Sequence, residues 1–216
     1  MSRRTVLVLC EFSDTVGAAF RRQGFYTLTN DLLPTEGDRP WLHIQGDCIE
    51  TLKTEFEGRG GRKFDLVVMH PSCTAIAVSG NSTYGRGMPK HKERLKAIEW
   101  TMGLWEEAIS KANHVAMENP VNVLPLKATQ FVQPYEFGHP EQKKTGFWLH
   151  NLPKLEATKN VYEQMMQLPK NKRQRIHYLP PSTDRWKIRS TTFPGLAEAM
   201  ALQWGNYICK EESNNG

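Results

Sequence analysis

No stretch of this sequence approaches the run of about 20 apolar residues that a membrane-spanning helix needs. The opening residues, Met1-Ser2-Arg3-Arg4 and a short apolar run to Cys10, lack the length and the small-residue cleavage site of a secretory leader. Cysteine is scarce. Cys10, Cys48, Cys73 and Cys209 form no Cys-x-x-Cys pair, which argues against a disulfide scaffold and a zinc knuckle and for a reducing, cytoplasmic setting. His139 and His177 are too scattered for ligand spacing, so no metal site is expected. Internal repeats and low-complexity tracts are missing too. What is left is 216 residues, 39% hydrophobic and 24% charged, which suits one soluble globular domain with a small appendage and excludes wholesale disorder.

Positive charge is present, and it is local. The chain carries a formal charge of +5. Residues 141–189 alone hold 11 basic and 4 acidic side chains, so the remainder is net negative. The excess centres on Lys170, Lys172, Arg173 and Arg175, with Tyr162, Tyr178 and Trp186 interleaved. Basic side chains match phosphates and aromatic rings offer stacking surfaces for bases. A solvated, partly disordered loop would carry the same composition. The acidic tail from Lys210 to Gly216 reads as a frayed terminus.

The first two thirds alternate between two periodicities. Thr5–Cys10 is a continuous β-branched and leucine run, the pattern of a strand buried on both faces. Val16, Ala19 and Phe20 form the apolar face of a short helix that Gly24 ends. Further strands are predicted at Phe25–Thr29, Leu42–Ile44, Asp65–Met69, His114–Met117 and Gly146–His150. Asp47 can cap a helix carrying Ile49, Leu52 and Phe56. Leu95, Ile98, Met102, Trp105, Ile109 and Ala112 recur at steps of three and four, predicting a helix from Pro89 to Lys111. A last helix is expected near Leu196–Trp204, and Trp100, Trp105 and Trp204 read as core. Alternating strands and helices imply an α/β fold, a doubly wound and mostly parallel sheet. We expect a core over residues 1–150, a basic, proline-punctuated insertion over 151–190, and a returning helix over 191–216.

Ligands of such sheets lie beyond the carboxyl ends of the strands. After the first predicted strand comes Glu11-Phe12-Ser13-Asp14-Thr15-Val16-Gly17, a tight turn into a helix, where a cofactor can approach backbone N–H groups. It is not a Gly-x-Gly-x-x-Gly, and an ordinary strand-to-helix turn would look the same. Asn30-Asp31 and Gly46-Asp47 place carboxylates where ribose hydroxyls are commonly gripped, although a helix cap alone would equally account for Asp47. His70-Pro71-Ser72-Cys73-Thr74 puts a cysteine just past a buried strand and before a glycine-containing loop, a position suited to a nucleophile or to a small buried side chain. His70 can orient that loop or tune the thiol. Met117-Glu118-Asn119-Pro120 leaves Glu118 as the one acid at its strand end, for chemistry or for a salt bridge.

Taken in order, these pieces resemble the cytosine-5 DNA methyltransferase family, and within it a compact phage-associated branch. The resemblance rests on Cys10-Glu11-Phe12-Ser13, Asp31-Leu32-Leu33-Pro34, His43-Ile44-Gln45-Gly46-Asp47 and His70-Pro71-Ser72-Cys73-Thr74. It continues through Glu118-Asn119-Pro120, Gln133-Pro134, Phe137-Gly138-His139-Pro140-Glu141 and Thr192-Phe193-Pro194-Gly195. It implies a Rossmann-like, class I methyltransferase-like sheet with a short basic C-terminal region. It also implies S-adenosylmethionine as cofactor, cradled by the turn of Phe12, Ser13, Asp14 and Gly17, with Asp31 at its ribose, Asp47 at its adenine and Pro71 nearby. Cys73 would attack carbon 6 of the pyrimidine and Glu118 would hold ring nitrogen 3.

Three departures from the family pattern are visible. Asp14 stands where a glycine is usual. Lys143 and Lys144 stand in for arginine forks, and a lysine is not an equivalent donor. Residues 151–190 are far shorter than a target-reading domain of sequence-specific relatives. The expected partner is therefore DNA gripped mainly through phosphates by Lys143, Lys144, Lys170, Lys172, Arg173 and Arg175, with short sequence preference or a protein partner for targeting. RNA or a free pyrimidine nucleotide would accept the same chemistry, and a non-catalytic phage protein that binds nucleic acid or protein would keep the same fold.

Overall fold

The computed structural model describes residues 4–215, with side chains as far as Glu211. Its centre is β1 (Thr5–Leu9), buried along its whole length as an all-apolar run demands. The chain continues through α1 (Thr15–Arg22), β2 (Tyr26–Asp31), β3 (His43–Gln45), α2 (Cys48–Gly58), β4 (Phe64–Met69), α3 (Asn81–Tyr84), α4 (His91–Lys111), β5 (Ala112–Pro120), β6 (Gln130–Val132) and β7 (Thr145–His150). Four short helices follow, α5 (Tyr162–Met166), α6 (Lys170–Arg173), α7 (Arg175–Tyr178) and α8 (Arg185–Ser190), before α9 (Pro194–Asn215). The first three residues and Gly216 fall outside the described residues, and α9 continues through the tail expected to fray as far as Asn215.

The seven strands lie in the order β3-β2-β1-β4-β5-β7-β6. β1 pairs in parallel with β2 and β4, and β4 with β5, whereas β7 runs antiparallel to β5 and to β6. The chain reverses its direction of travel across the sheet between β1 and β4, the switch point at which doubly wound sheets open a crevice. This is the Rossmann-like, mostly parallel sheet that the alternating pattern predicts.

Alternation within single strands builds two cores. Val6, Val8, Leu66 and Val68 face α1 and α9 with Phe20, Leu196, Met200 and Trp204. Leu7, Leu9, Val67 and Met69 face α2 and α4 with Leu52, Leu104 and Trp105. Trp204 is fully buried and donates its indole N–H to the Pro153 carbonyl at 3.0 Å, which resolves the one polar atom that its burial would otherwise leave unpaired. The basic insertion is joined to the first core: Leu155 and Ile176 are among its buried members.

Two expectations about α4 are corrected. Leu95 is 53% exposed and Trp100 37% exposed, so neither belongs to the core. The buried face carries Arg94, Thr101, Leu104, Trp105 and Ala108. Arg94 turns inward because it has acceptors there. Its guanidinium donates to the carbonyls of Ala75 and Ala77 at 2.7 and 3.1 Å and to Asn81 Oδ1 at 2.8 Å. A buried cation so satisfied rotates the helix away from the stripe that hydrophobicity alone suggests. The strand β6 has no counterpart in the sequence reading, and Ala112 begins β5 rather than ending the helix.

Candidate active site at the carboxyl ends of the strands

β4 and β5 deliver the chemistry. Beyond β4 the Asn119 amide donates to the Pro71 carbonyl at 2.8 Å, so the side chain next to Glu118 holds the loop that carries Cys73. Farther along, Val78 N–H bonds to the Val121 carbonyl at 3.0 Å and Val123 N–H to that of Ile76 at 3.1 Å. With Arg94 gripping the same segment from α4, the loop after Cys73 is stitched down rather than open. Cys73 is exposed at the edge of this assembly, and Glu118 is buried behind it.

Lys143, just ahead of β7, completes the group, because β7 pairs with β5 so that Phe147 lies opposite Glu118. Sequence reading assigned Lys143 to a polymer-binding face; here it acts electrostatically on Cys73, Glu118 and His70 together. Desolvation by the surrounding protein raises the Cys73 thiol above its ordinary range, with Lys143 opposing and Glu118 adding to the rise. Glu118 goes the other way. Burial would raise its carboxyl, but the hydrogen bond from His70 and the charge of Lys143 hold it below the usual carboxylate value. His70 Nδ1 lies 2.7 Å from Glu118 Oε2, and Thr192 Oγ1 donates to the same oxygen at 3.4 Å.

Thr192 belongs to the Thr-Phe-Pro-Gly segment, which is seated by a close approach. A side chain at Gly195 would put its Cβ 2.0 Å from the Phe137 carbonyl oxygen, and Gly195 N–H donates to His139 Nε2 at 2.9 Å. The segments 137–139 and 192–195 are thus one packed unit beneath Glu118.

The cofactor side divides in two. At the β2 and β3 ends, Asp31 accepts from Leu33 N–H through Oδ1 at 3.0 Å, and Leu32 beside it is 72% exposed. Asp47 is exposed and caps α2 through Oδ1 alone, accepting from Ile49 and Glu50 N–H at 2.9 and 3.0 Å. Carboxylates flanking an exposed apolar side chain fit a nucleoside. Pro71, two residues before Cys73, is buried.

The α1 end is occupied by the chain itself. Glu11 accepts from Val16 and Gly17 N–H at 2.6 and 3.0 Å, the helix N-terminal donors that suit a ligand carboxylate. Asp14, with φ of +59°, turns away into a buried ion pair with Arg21, packed against Gly37. Ser13 Oγ is 3.1 Å from Thr15 Oγ1. Phe12 is 6% exposed, its ring 5.4 Å from that of Trp186 on α8, and its carbonyl accepts from Glu36 N–H at 2.8 Å. Gly17 packs so closely on β2 that a Cβ would come within 2.4 Å of Thr29 Cγ2, so this glycine serves helix-to-strand packing. Sequence reading gave Glu11 no role and offered Trp186 as a stacking surface for bases rather than as a cover for Phe12; an acid between a buried strand and a helix start is the signal that identifies the first.

Of the other cations singled out in the sequence, all but Lys144 sit on the short helices α6 and α7. Lys170 and Lys172 are exposed, Arg175 pairs with Glu141 at 3.0 Å, and Arg173 Nη1 meets Met166 Sδ at 3.0 Å. Lys144 Nζ lies 4.6 Å from the centre of the Phe131 ring.

The sequence matches no protein-family model and no curated protein. Among solved structures, the chain is similar to an Escherichia coli prophage protein described as a DNA modification methyltransferase, at 12% identity over 68% of this chain and 46% of that one, with a TM-score of 0.47. It is similar to the methyltransferase EhMeth of Entamoeba histolytica, at 13% identity, 74% and 58% coverage and a TM-score of 0.45. The S-adenosylmethionine-dependent methyltransferase NGO1261 of Neisseria gonorrhoeae gives 14%, 67% and 60%, and 0.40. The chain spans about half to three fifths of the length of these structures.

Proposed function

We propose that this chain is an S-adenosylmethionine-dependent methyltransferase acting on carbon 5 of cytosine in DNA. The observation that carries the reading is the placement of Cys73 and Glu118 at the ends of adjacent strands, tied together through Asn119 and the Pro71 carbonyl and flanked by Lys143. Carbon 5 of cytosine is a poor nucleophile until sulfur adds at carbon 6. A carboxyl group on ring nitrogen 3 then stabilises the electron-rich ring. Cys73 is exposed, as a nucleophile that meets a polymer must be, and Lys143 pulls its proton affinity down against the surrounding desolvation.

S-adenosylmethionine, when bound, supplies an electrophilic methyl group. Asp31, Leu32 and Asp47 would hold its nucleoside, and Glu11 would have to yield the α1 donors to its carboxylate. A cytosine inside a duplex must leave the stack before Cys73 can reach it. Lys170, Lys172 and Arg173 would hold the phosphates meanwhile, Arg175 being paired with Glu141, and a protein partner would add whatever target selection residues 151–190 are too short to supply.

A second reading, a methyltransferase-fold protein that binds nucleic acid without turnover, draws on Glu11 at the α1 donors and Trp186 over Phe12. Transfer of a labelled methyl group to DNA, RNA and free cytosine nucleotides separates the two. The expected result is labelling of DNA at carbon 5, lost by on the order of 10⁴-fold in Cys73→Ser with DNA binding intact. DNA binding without labelling by the wild-type protein would favour the second reading.

A further inference from the structure

His70 sits between two buried carboxyl groups. Its Nδ1 bonds to Glu118 Oε2 at 2.7 Å, and its side chain is only 10% exposed. Glu11 acts on it from the turn after β1, and Lys143 opposes from the segment before β7. Its Nε2 is buried with no hydrogen-bond partner among the described residues. Burial alone would push this imidazole toward its neutral form, yet Glu118 and Glu11 together favour the cation. The Cys73 thiol and the Thr192 hydroxyl are the other polar groups that face Glu118.

The reaction proposed above has a requirement that Glu118 alone does not meet. Sulfur addition at carbon 6 drives an electron pair onto ring nitrogen 3, and an ionised carboxylate offers that atom only lone pairs. Glu118 is held in its ionised form, so the proton must come from its neighbour. We propose that His70 and Glu118 share one proton, and that His70 is the positioning residue that keeps it available to Glu118 for delivery to the pyrimidine.

The step balances. The sulfur–carbon bond forms at carbon 6, the carbon 5–carbon 6 pair becomes a carbon 4–carbon 5 double bond, and the displaced pair on nitrogen 3 takes the proton from Glu118. That proton is the one the pair shares: it reaches Glu118 from His70 Nδ1, and its transfer to the ring leaves an ionised carboxylate beside a neutral imidazole. The resulting enamine picks up a solvent proton at carbon 5. Loss of the original carbon-5 proton, cleavage of the sulfur–carbon bond and return of the nitrogen-3 proton through Glu118 to His70 restore the starting state.

The proposal rests on the Cys73–Glu118 reading, and cofactor-free exchange tests both separately. DNA is incubated with the protein in heavy water, and deuterium at cytosine carbon 5 is read by mass spectrometry across pH. Wild-type exchange should rise as the thiol ionises and fall as the pair loses its proton. In His70→Asn, whose amide can still donate to Glu118 but carries no titratable proton, the falling limb should move to lower pH and exchange at pH 8 should drop at least roughly tenfold. A falling limb at the same pH as wild type, whatever its height, overturns the proposal and leaves His70 a prop. No exchange by the wild-type protein on bound DNA overturns the Cys73–Glu118 reading, and the proposal with it. Should His70→Asn not fold, the imidazole resonance decides. It should titrate above the ordinary histidine value in wild type and fall back in Glu118→Gln, and titration at or below that ordinary value in the wild-type protein overturns proton sharing.

Discussion

Glu11 shows how one residue can both build a fold and oppose it. Its carboxylate satisfies two α1 N–H groups that would otherwise be orphaned. Burial nevertheless raises its proton affinity, with His70 and the Val16 and Gly17 N–H groups pulling back and Asp14 adding to the rise. A carboxyl whose folded value lies above its unfolded value of 4.5 contributes stability that is complete at low pH and is lost as pH climbs through the folded value. Replacing it by glutamine removes that titration. His70 stays largely charged between pH 4 and 6 in both folded and unfolded chains, so the interval isolates Glu11. The melting temperature of Glu11→Gln relative to wild type should therefore shift in favour of glutamine as pH rises from 4 to 6, whatever constant offset the misplaced amide adds. A difference that stays flat, measured by differential scanning calorimetry, would mean that the wild-type carboxyl is not raised.

At the scale of elements, β1, β4 and the apolar faces of α1 and α2 were legible because local pattern and tertiary fate agree there. Disagreement starts where polar groups decide. The buried face of α4 turns on Arg94, whose acceptors, Ala75, Ala77 and Asn81, lie across a loop and leave no trace in helical periodicity. β6 is three residues long and, at the edge of the sheet, pairs with β7 alone among the described strands, too little for a period of two to register. The site divides in the same way. Cys73 and Glu118 are visible because strand ends are, whereas Lys143 and Thr192 reach them through β7 pairing and the Gly195 contact. Least foreseeable was α8, where Trp186 covers Phe12 and Lys187 pairs with Glu36. If α8 closes the cofactor turn, Trp186→Ala should remove a ring contact worth about 1 kcal/mol and tighten S-adenosylhomocysteine binding severalfold, up to on the order of tenfold, by calorimetric titration. Weaker binding would instead make the indole part of the ligand site.

Over the whole molecule, charge is segregated by architecture. The net-negative remainder of the chain supplies β1 to β6, while the surplus of basic side chains falls in 141–189, mostly on α6, α7 and α8. Not all of that surplus is available to a polyanion. Arg175 is engaged by Glu141, Lys187 by Glu36, and Lys143 faces the chemical pair. Lys170 and Lys172, both exposed on α6, are the side chains best placed to displace counterions from phosphates. Each phosphate neutralised contributes about 0.9 to the slope of log affinity against log salt on duplex DNA. Lys170→Glu with Lys172→Glu should therefore weaken DNA binding at low salt and reduce that slope by about two units. α6 is a surface helix with no buried residue, so the fold should be kept. Filter binding or fluorescence anisotropy across a salt series measures both quantities. An unchanged slope would remove α6 from the DNA face and leave the cations around Cys73 as the whole of it.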